Sequence, residues 1–599
     1  MCGEITMVNY LDRPWLKNYD PHVPHSLEPY PDVPVHHYLQ ETAKQYPNDT
    51  VLITPAKLPL VGYQAHTVSY QQLDLWSDAL AAALVDLGLK KGARVAIVMP
   101  NCVQFAIAYF ATLKAGGVVA ATNPTYPPAR MAYQINDCDA EIIITLTMFY
   151  KLIKEIQPKT KAKHVIVANI KEYLPPLARV LFSLTREKKD GHYIEQLAQG
   201  DMWFQELLQQ FEGQKVQVEV TPKDLALFQY TGGTTGVSKG AMLTHRALVA
   251  NMLQIMAWSS IEHEQFAGMQ RKDLIYLGVL PMFHVFGLVV MLTQATASGS
   301  KIVLVANPRD TNNVVGIIGH FKPNVFLGVP AMFNAVVNHP DVKSGKVSMD
   351  SFVISTSGAA PLPPAVKRAY ESAGAYRLNE GYGMSETSAA SHSNPLIGEA
   401  RPNSVGMPLP DMDVRIVSLE DGETDVPIGE VGEIVMSGPN IMSGYHGMPT
   451  ETANALREKD GKIWLYSGDI AYMDEDGYFY IVDRKKDMAL IGGYNVYPTA
   501  VEKAIKDHPA VLEVAVAAVP HPEKVGQEAL KAWVVLQPGE SLTEEALIAH
   551  CEQYLAPYEI PRRWEFVDEI PKTAVGKTLR RELVQRELEA QERANKQDS

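Results

Sequence analysis

Tyr230–Gly240 reads YTGGTTGVSKG, and short apolar runs bound it on both sides, Leu225–Gln229 and Ala241–Leu243. Its eleven residues hold four glycines, three threonines, one serine and one lysine. Glycines admit φ > 0 and let a ligand come close to the main chain. Inward-turned backbone N–H groups, hydroxyls and one ammonium suit a chain of phosphates. The flanking runs read as strands, so the strip is a hairpin-like loop rather than a strand-to-helix loop. A P-loop of the form GxxxxGK[ST] does not fit, because Lys239 is followed by Gly240 and has no glycine directly before it. Gly576-Lys577-Thr578 ends like a P-loop, but Pro571 occupies its first glycine position.

Upstream, short apolar runs alternate with helical patterns. Leu73, Trp76, Leu80, Leu84 and Leu87 recur at helical spacing within Ser69–Leu87. Ser69 with Gln72 forms a capping box, and Gly88 stops the helix. A strand at Arg94–Met99, a helix at Val103–Lys114 and a strand at Val118–Thr122 follow. Such repeats predict parallel sheets covered by helices. After Asp483 the texture changes. A helix from Tyr497, strands at Leu512–Val519 and Leu530–Leu536, a helix at Thr543–Leu555 and a strand at Arg563–Val567 make a compact α+β unit. The charged segment from Arg580 reads as a solvated helix.

Composition narrows the function classes. The 599 residues carry 54 Lys and Arg against 68 Asp and Glu, a net charge of −14. No nucleic-acid partner is expected of so acidic a chain, since phosphate contacts need a basic face. The 41 glycines and 40 prolines are too few for a low-complexity or collagenous chain. Four scattered cysteines, Cys2, Cys102, Cys138 and Cys551, give neither metal-ligand spacing nor a disulfide scaffold. No basic segment followed by an apolar run opens the sequence, so a cytoplasmic protein is expected. Tyr276–Ala297 has no charged side chain in 22 residues. Pro281, His284 and its polar end argue for a buried core segment over a membrane span. Residues 171–190 hold five basic and three acidic side chains, with Leu177, Leu181 and Leu184 on one stripe behind Pro176. Contact with a membrane surface is one reading of this segment, and an insertion packed on its own domain is the other.

Several further stretches carry chemistry. Ser357–Pro361 is SGAAP and Glu380–Thr387 is EGYGMSET. Tyr382, between Gly381 and Gly383, offers a flat ring to an adenine. Glu386 sets a carboxylate beside the Ser385 and Thr387 hydroxyls. Tyr466-Ser467-Gly468-Asp469 ends in a carboxylate that can accept hydrogen bonds. Pro281–Gly287 (PMFHVFG) is apolar around His284, which has no second ligand at zinc spacing. Asp483–Asp487 (DRKKD), Ile491–Tyr494 (IGGY) and Pro571–Lys577 (PKTAVGK) complete the set.

Taken in order, these motifs resemble the adenylate-forming superfamily of acyl-CoA synthetases, peptide-synthetase adenylation domains and luciferases. Within it the chain is most similar to bacterial long-chain fatty acid–CoA ligases, from about residue 30 to 585. The resemblance implies an α/β fold: a large N-terminal domain of helix-covered sheets with a β-barrel-like subdomain, over 1–482. A small, mobile α+β domain, 483–599, would swing on a hinge at Asp483 and Arg484. It implies ATP binding by Tyr230, Thr231, Gly232, Gly233, Thr234, Thr235, Gly236, Lys239, Ser357, Gly358, Ala359 and Ala360. Glu380, Gly381, Tyr382, Gly383, Asp469 and Arg484 join that set. Mg²⁺ would accompany ATP on Glu386 and Thr231. Lys577 would be the adenylation lysine, acting where two anions meet. Phe283, His284, Val285 and Phe286 would border the acyl chain, and Gly492, Gly493 and Tyr494 the path of coenzyme A. The motif before Asp469 departs from the family's common Arg-Thr-Gly-Asp, since Tyr466-Ser467 stands in place of Arg-Thr. The implied reaction joins a fatty acid to AMP and then to coenzyme A. A medium-chain or aryl acid ligase and a non-catalytic acyl and ATP sensor remain the alternatives. A homodimer and a peripheral position at the inner face of a membrane are further expectations.

Overall fold

The computed structural model describes residues 9–231, 238–261, 266, 268–491, 494–521, 528–573 and 576–597. Two large sheets dominate. The first has seven strands in the order Met202–Trp203, His164–Ala168, Ala140–Leu146, Arg94–Val98, Val118–Ala121, Leu225–Tyr230 and Gly240–Thr244. All pairs are parallel except the last, where Tyr230 faces Gly240 across an antiparallel hairpin. The hairpin read from the phosphate strip is therefore the edge of this sheet. The second sheet has nine strands, with Ile354–Ser357 and Asn379–Tyr382 beside Val325–Gly328 and Ile275–Gly278.

Local sequence explains the covering helices. Tyr70–Asp86 starts at Ser69, whose hydroxyl and the Gln72 side chain form the expected reciprocal cap. Val103–Lys114 is buried along its whole length, between layers. The uncharged stretch Tyr276–Ala297 is core: a strand, a turn, then Val285–Gly287, a π-helical turn Leu288–Thr293 and Gln294–Ala297, nearly all buried. Among the described residues no helix is long and apolar enough to cross a membrane.

A five-stranded antiparallel sheet follows, built around the long bulged strand Lys462–Met473, which pairs with three others. It stands where the barrel-like unit is expected. Its last strand, Phe479–Arg484, ends at the composition change. Beyond it lie a small hairpin, Ala489–Ile491 with Tyr494–Val496, and a three-stranded sheet, Val511–Pro520, Glu528–Leu536 and Arg563–Phe566. These have a hydrophobic cluster of their own around Val501, Val516 and Leu547. Asp483 ties the two regions, its carboxylate accepting the Arg484 N–H and the Thr499 N–H, both at 2.7 Å.

Candidate functional site

The edge hairpin is closed by backbone and hydroxyl. Thr231 N–H donates to the Lys239 carbonyl at 2.9 Å, and Ser238 Oγ donates to the Thr231 carbonyl at 2.6 Å. Gly232, Gly233, Thr234, Thr235 and Gly236 lie outside the described residues. Tyr230 turns its phenol away to Asp137, 2.6 Å off, and its ring lies against Gly240. It braces the hairpin from beneath. Lys239 reaches the other way, pairing with Glu451 and sitting 5.1 Å over the Tyr445 ring.

Tyr445 joins this hairpin to the SET turn. Its chain bridges Ala241 in antiparallel fashion, and its hydroxyl donates to Glu386 Oε1 at 2.6 Å. Glu386 sits buried on the short helical turn Ser385–Thr387, and its carbonyl accepts the Met442 N–H. Only glycine fits at 383, because a Cβ there would lie 1.7 Å from the Ala389 carbonyl oxygen. That crowding folds EGYGMSET back on itself, and both Tyr382 and Glu386 come near Arg484.

Tyr382 donates its phenolic proton to Asp469 Oδ2 at 2.6 Å. Asp469 and Arg484 face each other in neighbouring strands, with Arg484 Nε 2.9 Å from Asp469 Oδ1. The N–H is not aligned on that oxygen, and buried Oδ1 keeps its acceptor capacity unspent. A vicinal diol is a donor pair that could use it.

Lys577 arrives from the C-terminal region on a tight turn. Its N–H is held by Thr573 Oγ1 at 3.0 Å, its carbonyl accepts the Thr573 N–H, and Gly576 takes φ +76°. The turn packs close to Val329, which follows the strand Val325–Gly328. Burial first, then repulsion from Arg484 and Lys486, pushes the Lys577 ammonium down to about 8, against the attraction of Asp469. Lys486 is also held at about 8, by burial, by Arg484 and by Lys239. Lys239, Arg484, Lys486 and Lys577 thus converge near Glu386, Glu451, Asp469 and Asp487. Burial and mutual repulsion disfavour the two ammoniums until an anion enters beside them. We expect kcat/KM for ATP to fall above pH ~8, because the protonated ammonium dominates only below its pKa. Bound triphosphate opposes deprotonation, so kcat should hold to higher pH. Initial rates across the alkaline range check this. The midpoint belongs to the coupled pair Lys577 and Lys486.

An apolar cavity of about 850 Å³, including its open mouth, adjoins this cluster. Strand register gives its direction. Tyr276, Val325 and Ile354 form one layer, and Leu327 with Thr356 form the next. Gly358, Ala359 and Gly381–Gly383 line the end nearest Asp469. Ala359 is held at φ +67°, a strained setting that turns SGAAP sharply at this rim. Ser357 is buried beneath, and Glu380 directs its carboxyl to the Leu362 N–H, 3.1 Å away. Burial raises Glu380 to about 8, so it braces the loop largely in its neutral form.

His284, Val285 and Phe286 line the cavity, whereas Phe283 does not. The Phe283 carbonyl accepts from Gln229, and its ring packs on the core. His284 Nδ1 accepts the Phe286 N–H at 3.2 Å, and burial lowers the imidazole to about 4. The ring is therefore neutral with its proton on Nε2, a donor for an anion at the cavity. Tyr494 lies away from the cavity, exposed and stacked on Tyr558 at 4.4 Å. Gly492 and Gly493 lie outside the described residues. Tyr445 and Glu451 were not legible as candidate site residues, since their contacts come from chain segments brought together by the fold.

Family models give this geometry its place. The AMP-binding enzyme model matches residues 39–446, and the AMP-binding enzyme C-terminal domain matches 500–577. A long-chain-fatty-acid–CoA ligase of Bacillus subtilis is 37% identical over 585 residues, covering 96% of this chain and 98% of that one. One from Escherichia coli O157:H7 is 34% identical, covering 95% and 97%. Among solved structures, ATP-bound MatB from Rhodopseudomonas palustris superposes with a TM-score of 0.77 at 26% identity, covering 92% and 99%. Apo MatB from the same organism gives 0.69, covering 93% and 99%. With more than half its length matched by one family model, the chain belongs to the AMP-binding enzyme family.

Proposed function

We propose that this protein is an ATP-dependent long-chain fatty acid–CoA ligase. The observation that carries the reading is the shared wall at Gly381–Gly383. One side lines an apolar cavity, and the other presents Tyr382 to Asp469 beside Arg484. A molecule with an apolar tail and an anionic head, meeting a nucleotide at that head, fits both sides. The long-chain ligase relatives support the same substrate class.

On this reading a carboxylate oxygen attacks the α-phosphorus of ATP, and the bond to the bridging oxygen breaks as pyrophosphate leaves. A coenzyme A thiolate then attacks the acyl carbon, and AMP leaves with the C–O bonding pair. The carboxylate alone resists thiols, whereas the acyl-phosphate anhydride does not. Asp469 would accept the ribose hydroxyls at Oδ1, beside Arg484. His284 offers Nε2–H to the carboxylate or the α-phosphate. Lys577 stabilises the charge gathering between attacking and leaving groups. Mg²⁺ entering with ATP would be held by Glu386, whose Oε1 accepts from Tyr445 and whose Oε2 has no hydrogen-bond partner among the described residues, with Thr231 as hydroxyl partner. Bound there, it would neutralise phosphate charge. The region after Asp483 would then swing, withdrawing Lys577 and bringing Gly492, Gly493 and Tyr494 to the thiol's path. The enzyme works in the cytoplasm and meets the membrane peripherally.

The test is a panel of saturated acids from short to long with ATP, Mg²⁺ and coenzyme A, reading AMP and acyl-CoA. Long acids should give the highest kcat/KM. Absence of AMP with every acid would leave only a binding protein. The cavity's direction adds a sharper expectation. Val325→Phe puts a ring in the deeper layer and should cut kcat/KM for long acids at least ~10-fold, while short acids change little. Equal loss for all lengths would mean that chains do not reach Val325.

A further inference from the structure

The helix Pro176–Thr185 buries only Ala178 of its ten residues. Leu177, Val180, Leu181 and Leu184 are 50%, 56%, 37% and 78% exposed. Their spacing of three and four places them in one stripe along about 10 Å of helix. Single exposed leucines are ordinary, but four on one short helix face form an unpartnered patch.

The rim of that patch is cationic. Arg179, Arg186, Lys188 and Lys189 are exposed around it. Arg186 pairs with Asp190, and Lys171 with Glu187, but Arg179, Lys188 and Lys189 have no carboxylate partner among the described residues. Lys188 instead sits 4.6 Å over the ring of Tyr193, itself half exposed. An aromatic ring with a polar tip, beside basic side chains and an aliphatic stripe, is the chemistry of a lipid–water boundary. The remainder of the chain is strongly acidic, so an anionic surface would repel most faces and accept this one. A protein partner would want about 800 Å² on its side, more than four side chains on a ten-residue helix supply.

We propose that the helix Pro176–Thr185 and its basic rim dock this protein on an anionic lipid bilayer, the stripe entering the headgroup boundary and Lys188 and Lys189 meeting lipid phosphates. The inference rests on the ligase reading for its purpose, delivery of an amphiphilic acid, though not for its geometry. The full chain should be sedimented with vesicles of phosphatidylcholine alone and of phosphatidylcholine mixed with phosphatidylglycerol, at low and high salt. Mixed vesicles should bind at least ~10-fold more tightly, and salt should weaken them. The double variant Val180→Glu/Leu184→Glu should lose at least ~10-fold, while Leu60→Glu, at another exposed leucine, should not. Turnover of a short, water-soluble acid should be unchanged in the double variant, which also shows that it folds. Three results would overturn the proposal: no vesicle binding, equal binding by the double variant, or a wild-type dimer that the variant dissolves without any lipid effect. Vesicle binding without AMP production from any acid would instead sink the ligase reading and leave the docking surface standing.

Discussion

Lys577→Ala is expected to slow acyl-adenylate formation by ~10²–10³, the cost of removing one electrostatic contact that counts most in the transition state. The ammonium is buried and repelled by Arg484 and Lys486 before ATP arrives. Such a group gives little to ground-state folding. Its charge is repaid only when phosphate oxygens collect beside it. Removing it should leave the melting temperature near wild type or slightly above. Linkage gives the same sign. A lysine whose folded pKa lies below its unfolded value penalises the folded state most at low pH, and the penalty fades as pH rises through the folded pKa toward the unfolded one. Thioester formation from supplied acyl-adenylate should keep most of its rate, because pyrophosphate has already left. The two half-reactions, read as pyrophosphate release and as acyl-CoA from synthetic adenylate, separate the roles. Equal damage to both would make Lys577 a structural residue rather than a catalytic one.

The fold was legible where periodicity and punctuation are local. Ser69 with Gln72 marked a helix start that the structure reproduces atom by atom. The two apolar runs around Tyr230–Gly240 foretold an antiparallel edge. Candidate site residues were legible where a motif is contiguous, as for Glu386 and Asp469. They were not legible where a partner comes from afar. Tyr445 touches Glu386 from 59 positions away, and no local pattern marks it. Phe283 stands apart from the cavity for another reason. An apolar run names candidates for a cavity, but the turn Pro281–His284 decides which rings face it. The stripe of Leu177, Leu181 and Leu184 shows the same limit. Its spacing is in the sequence, whereas its exposure depends on what the fold leaves uncovered.

Glu386→Gln should lower adenylation by a comparable ~10²–10³ and raise the Mg²⁺ concentration needed for half-maximal rate. The variant is chosen because it preserves shape. The amide oxygen still accepts the Tyr445 hydroxyl, now 2.6 Å from Oε1, so the bridge from the SET turn to the edge hairpin survives. What disappears is one negative charge among Lys239, Arg484, Lys486 and Lys577. Without a cation to coordinate, that loss would strengthen the pull on bare triphosphate. With Mg²⁺ required, it removes the carboxylate that suits a hard cation. The two cases predict opposite changes. ATP binding measured with chelator present should tighten or hold, while turnover at fixed ATP should demand more Mg²⁺. Glu386→Ala is the less informative change, since it also strands a buried phenol at a cost of ~1–3 kcal/mol. Undiminished turnover by Glu386→Gln at low Mg²⁺ would remove this glutamate from the cation's coordination and move the search to other oxygens around the hairpin.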